Sequence, residues 1–250
     1  MPQPVAAKSK TKPDASALDQ AFEALKTYGE GSGRAALLPI DEALVACLDD
    51  QPARRQMESR LMAALQAGGS VVAREYVCTK LALLGSERAV SAFGDLLSDP
   101  QLSTPARTAL EAIPSPEASE ALRKSLPKLS GLHKVGVIHS LGACRDKGSV
   151  RALTALMRDA DPHVAGAAVA ALGDIGSAKA AKVLRAFAPK APEVLRLKLA
   201  DAALVCAERL LAAGRSSEAQ ALAQVLDVPE QPKHVRQAAA RLATAHSAKP

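Results

Sequence analysis

Leu110, Leu141 and Leu172 stand 31 residues apart, and Ala203 continues the step. Three residues after them come Ile113, Cys144, Ile175 and Cys206; four residues before them come Ala106, Val137, Ala168 and Leu199. Every member of these three columns is apolar. Offsets of −4, 0 and +3 fall on one face of an α-helix. A period of this length holds two short helices with their turns, far less than a domain. One such unit cannot bury its apolar stripe alone, so it must stack on its neighbours.

The intervening segments repeat as well. Ala89, Ala118, Val150, Ala180 and Ala219 open equivalent stripes, continued by Phe93, Leu122 and Leu184, then by Leu96, Met157, Phe187 and Leu226. Turn residues punctuate the chain regularly. In Ser115-Pro116-Glu117 an N-cap residue, a proline suited to the first helical position and a first-turn acid follow one another. This reading predicts about fourteen helices, over 15–28, 35–49, 52–67, 70–84, 86–98, 103–112, 116–127, 131–144, 148–159, 162–174, 178–188, 192–213, 217–226 and 232–245. No segment alternates apolar and polar residues long enough to predict a strand. There is no Trp, with two Tyr and three Phe. That scarcity argues against β-sandwiches and against sites that stack bases on aromatic platforms.

The segment AVAALGDIGSAKAAKVLRAF (168–187) resembles the short HEAT-like repeat, the type also found in phycobilin lyases. The resemblance rests on an AxxALGxIG ending, a turn and a following AxxxLxxxL run, and is strongest over 70–190. It implies an all-α fold, a right-handed α-solenoid of stacked antiparallel helix pairs, with the second helix of each pair lining a concave face. Residues 1–14 are expected to be a disordered basic tail, and 15–246 one solenoid domain with irregular terminal repeats. Di-iron hydroxylases of similar shape carry His-Glu pairs, and this chain has no His-Glu dipeptide. HEAT-like DNA glycosylases lean on aromatic residues, which are scarce here.

The net charge is +6, with its excess in the C-terminal part. Residues 131–250 hold seventeen basic and ten acidic side chains, a net +7. This suggests an acidic partner surface for that half. Met1–Asp14 lacks the apolar centre of a signal peptide, no run of 18 apolar residues occurs, and Cys47, Cys78, Cys144 and Cys206 form no CxxC pair. The expectation is a cytoplasmic protein with no transmembrane segment.

Candidate chemistry is sparse. Gly29–Gly33 has the look of a phosphate loop but follows a helical segment and lacks GK[ST], so it is read as a turn. His133, His139 and Cys144 share one helix at steps of six and five, which point in different directions and do not make a metal site. His133 falls in a column of Leu102, Val164 and Leu195; His139 falls with Thr108, Ala170 and Asp201, off the core; Cys144 falls in a core column. His163 faces roughly as His139 does, too far along to share an ion with it. No catalytic residue, metal or cofactor is predicted. The candidate partner-binding residues are Arg107, Lys134, His139, Lys198 and Arg236, on the second helices. The expected function is a non-enzymatic scaffold that binds another protein. The alternatives are polyanion or nucleic-acid binding through the basic half, and a lyase-type or accessory subunit of an enzyme complex.

Overall fold

A computed structural model of the chain describes residues 14–85, 87–226 and 231–244. Among these residues there are fourteen α-helices and no strand. They form two compact units, one ending at Ser115 and the other beginning at Pro116. The expected basic tail lies outside the described residues except for Asp14, whose carboxylate caps the first helix by accepting from the Ser16 N–H. Residues 245 and 246, at the expected domain end, also lie outside them.

The first unit contains α1 (Ala15–Lys26), α2 (Leu38–Cys47), α3 (Gln51–Ala67), α4 (Val71–Leu84), α5 (Val90–Leu96) and α6 (Ser103–Ala112). The second contains α7 (Pro116–Ser125), α8 (Gly131–Ala143), α9 (Val150–Leu156), α10 (Pro162–Ile175), α11 (Ala178–Phe187), α12 (Glu193–Ala212), α13 (Ser216–Ala223) and α14 (Lys233–Thr244). Local chemistry sets several ends. Asp50, Ser70, Asp161 and Ser177 each accept a backbone N–H of the helix they precede, satisfying a donor that would otherwise be orphaned. Gly85 and Gly176 close α4 and α10 in the left-handed conformation, which glycine reaches without a Cβ penalty.

The helices pack in pairs, the packing of an α-solenoid. In the first unit α3 lies on α4, α4 on α6 and α5 on α6. In the second, α8, α10 and α12 pack side by side, with α7, α9 and α11 against them and α13 against α12. The 31-residue columns are the core. Leu110, Leu141, Leu172, Ala106, Val137, Ala168, Leu199, Ala203, Ile113, Ile175 and Cys206 are all buried.

Two positions depart from the expected register. Cys144, the C-cap of α8, is half-exposed, whereas Ile113, the C-cap of α6 in the same column, is buried. Leu96 is also half-exposed, and Leu97 takes its place in the core. Leu97, Leu126, Met157 and Leu226 each follow Phe93, Leu122, Leu153 and Leu222 by four residues, one helical turn, and all are buried.

Small residues bring the second helices of the second unit together. A Cβ built on Gly142 would stand 3.0 Å from the Cα of Ala171, and one on Gly173 would stand 2.6 Å from the carbonyl oxygen of Ala202. Gly142 and Gly173 are 31 residues apart, as are Ala171 and Ala202. The close approach of α8 to α10 is therefore repeated between α10 and α12.

Candidate functional site

The same 31-residue step runs along the outward stripes of α8, α10 and α12. Leu132, His163 and Val194 form one column; Val135, Gly166 and Leu197 the next; Gly136, Ala167 and Lys198 another; His139, Ala170 and Asp201 the last. On α10 the middle of this stripe is small and sunk: Gly166 and Ala167 are buried, and Ala170 is half-buried. On the flanking helices much of the stripe stands exposed, with Val135 and Gly136 half-buried. Leu132 is 83% exposed, Val194 70% and Leu197 54%. The result is a shallow trough with α10 as its floor and apolar side chains on both rims. The Lys198 side chain reaches over the floor, since a Cβ on Gly166 would lie 3.0 Å from its Nζ.

The predicted site residues divide into two sets. His139 and Lys198 are exposed on the trough, and Arg236 is exposed on α14, which packs beside α12. Lys134 faces inward enough to pair with Asp159 at 3.8 Å, and Arg107, in the first unit, pairs with Glu111 at 3.7 Å. These last two have internal partners. His163 is exposed on the trough, and His133 is half-buried where its column is otherwise core.

A second basic surface is hidden when charge is summed over halves of the chain. Lys147, Arg151, Arg158, Lys179, Lys182, Arg185 and Lys190 are all exposed on and beside α9 and α11. No acid occurs in residues 147–158 or 178–190. The signal was present as two acid-free stretches, but only the packing of α9 on α11 makes them one surface.

The first unit holds a polar cluster that the sequence did not announce. Asp41 accepts from the Tyr76 hydroxyl at 2.9 Å and pairs with Lys80 at 2.7 Å and Arg34 at 3.3 Å. Burial pushes the Asp41 carboxyl up, but the bonds from Lys80 and Tyr76 outweigh it and hold the group below its usual range. Burial and the Asp41 carboxylate push the Tyr76 phenol upward. Between α1, α3 and α4 lies an open cavity of about 440 Å³, lined chiefly by Phe22, Leu25, Ala64 and Val77 with Lys26 and Arg60 at its wall. Arg60 lies 4.1 Å over the Phe22 ring and is bound to Asp19 at 2.7 Å.

Three of the four thiols are poor nucleophiles. Cys47, Cys78 and Cys206 are buried, and burial raises all three, Cys78 to about 11 and Cys206 to about 12. Gly29–Gly33 is a turn after α1, with the Gly29 N–H donating to the Ser32 hydroxyl. Among the described residues no three His, Cys, Asp or Glu side chains gather as a metal-binding group, and no helix is long and apolar enough to cross a membrane.

Residues 129–204, which include α8 to α11, match the family of HEAT repeats. That segment of the chain carries HEAT repeats. The matched segment carries the floor and the rim residues Leu132, Val194 and Leu197 of the trough, together with both acid-free stretches. Two solved structures are similar to this chain along most of its length. The complex of CpcE and CpcF of phycocyanin lyase from Nostoc sp. PCC7120 is 18% identical with a TM-score of 0.43, over 97% of this chain and 98% of that one. Human deoxyhypusine hydroxylase in complex with glycerol is 14% identical with a TM-score of 0.37, over 91% of this chain and 94% of that one. No curated protein matches the sequence.

Proposed function

We propose that this chain is a non-catalytic scaffold that holds another protein in the trough over α10. The observation that carries the reading is the pair of exposed apolar rims. Leu132, Val194 and Leu197 are large aliphatic side chains left in water on either side of a floor of small residues. Covering one such side chain is worth about 1.5–3 kcal/mol, so two or three of them can anchor an interface. His139, Lys198 and Asp201 at the margin would set the register of a partner by charge and hydrogen bonding.

A non-catalytic role is supported by where the ionisable groups are spent. Asp41, Asp146, Asp159 and Asp174 each answer to a basic side chain, and three of the four thiols are held protonated by burial.

The test is affinity purification from cells of the source organism with the native chain and with the Leu132→Asp/Val194→Asp double variant. Both positions are exposed, so the variant should melt as the native chain does. A protein recovered reproducibly with the native chain and lost with the variant supports the trough. Identical recovery with both, or no reproducible protein with either, removes it.

A further inference from the structure

We propose that the first-helix face of the second unit, built on α9 and α11, is a separate docking surface for an acidic helix of a protein partner. Seven cations stand exposed there, from Lys147 to Lys190, and the two stretches that carry them contain no acid. None of the seven lies within salt-bridge distance of a carboxylate among the described residues. The acids nearest in sequence have other partners: Asp146 pairs with Arg123 at 2.6 Å, Asp159 with Lys134 at 3.8 Å and Asp174 with Arg209 at 3.1 Å. Glu218 on the neighbouring α13 pairs with Arg215, although it also feels the charge of Lys182. A like-charged surface of this kind repels itself and is relieved by an anionic partner.

Spacing and composition point to the class of anion. Lys179, Lys182 and Arg185 recur every three residues on α11, about 4.5 Å apart along its axis. Carboxylates at three- or four-residue spacing on a partner helix rise by about 4.5–6 Å, which matches. Arg151 stands 31 residues before Lys182, in the same repeat register on the adjacent helix, so α9 supplies a second row. The exposed positions between the cations are small: Ala152 and Ala155 on α9, and Ala186 on α11. Alanines let another helix approach closely.

A nucleic acid is served less well by these residues. Phosphate and base contacts draw on hydroxyl, amide and aromatic side chains beside the cations. The two stretches hold no Asn or Gln. The Ser149 and Thr154 hydroxyls are spent on the carbonyls of Asp146 and Val150, at 2.8 and 2.6 Å. Phe187, the one aromatic in residues 116–250, is buried.

The experiment titrates the full chain with two probes at about 50 and 300 mM salt. One probe is an alanine-based helical peptide with glutamate at three- and four-residue spacing; the other is a 20-base-pair DNA duplex. The expected result is tighter binding of the peptide, weakened at least about tenfold by the higher salt. The Lys182→Glu/Arg185→Glu variant should lose at least about tenfold in peptide affinity, and Lys179→Ala/Lys182→Ala/Arg185→Ala should lose affinity as well. The Leu132→Asp/Val194→Asp variant should bind the peptide as the native chain does, which separates this surface from the trough. No peptide binding at the lower salt overturns the proposal. So does tighter binding of the duplex, or unchanged peptide binding by both charge variants.

Discussion

Gly173 lies against the backbone of Ala202, so closely that a Cβ on the glycine would stand 2.6 Å from the Ala202 carbonyl oxygen and 2.8 Å from its Cα. In an isolated helix, Gly→Ala stabilises by about 1 kcal/mol. Here the new methyl would press on backbone that cannot rotate away, and overpacking costs about 1–3 kcal/mol. Gly173→Ala is expected to lower the unfolding free energy by about 1–2 kcal/mol in a urea titration. Gly33→Ala, at an ordinary φ with nothing within 4 Å, should change it little.

Arg145 is the converse case. It stands 31 residues before Gly176 and follows the Cys144 cap of α8 with a φ of +50°, a conformation that glycine takes at Gly85 and Gly176. A side chain in the left-handed region costs about 1–2 kcal/mol, part of which glycine returns through its greater freedom when unfolded. Arg145→Gly is expected to raise the unfolding free energy by about 0.5–1 kcal/mol, read from the same titration.

Acid should weaken the first unit through Asp41. Its folded carboxyl sits below the unfolded value, so its contribution is complete above about pH 4–5 and fades as pH falls through the folded value. The melting temperature of the native chain should therefore drop more steeply between about pH 5 and pH 3 than that of Asp41→Asn. The variant should also melt lower at pH 7, since Lys80 is then left almost buried without its counter-charge. Parallel acid limbs for the two proteins would contradict the assignment.

Thiol labelling should separate the cysteines. Cys144 is half-exposed, whereas Cys47, Cys78 and Cys206 are buried with raised values. Native protein treated with iodoacetamide at about pH 8 is expected to carry the label on Cys144 by peptide mapping. The other three should react at comparable rates only after denaturation.

Much of the fold was legible because period and chemistry agreed. Helix α6 spans residues 103–112, as its periodicity predicted, and Leu110, Leu141 and Leu172 are buried where their column required. The misreadings came at helix ends, where periodicity stops carrying information. Cys144 shares the register of Ile113 and Ile175 but is half-exposed where they are buried, a difference that packing at the helix end makes. Leu96 and Leu97 are adjacent leucines, and only packing chose between them. The candidate site was less legible. Charge and helix face place Lys134 and Arg107 among the candidates, but each has an acid within reach, which spacing along one repeat does not reveal.

The amino-acid sequence alone determined that this chain is a helical array and which columns form most of its core. A 31-residue recurrence of apolar side chains can be buried only by stacking copies of the same helix pair. Its surfaces were decided by tertiary structure. The rims of Leu132 and Val194 belong together because Gly142 and Gly173 let α8 and α12 close on either side of α10. The cations of 147–158 and 178–190 form one face because α9 packs on α11. Burial follows local periodicity, whereas a surface is assembled from residues that are neighbours only across the helix stack.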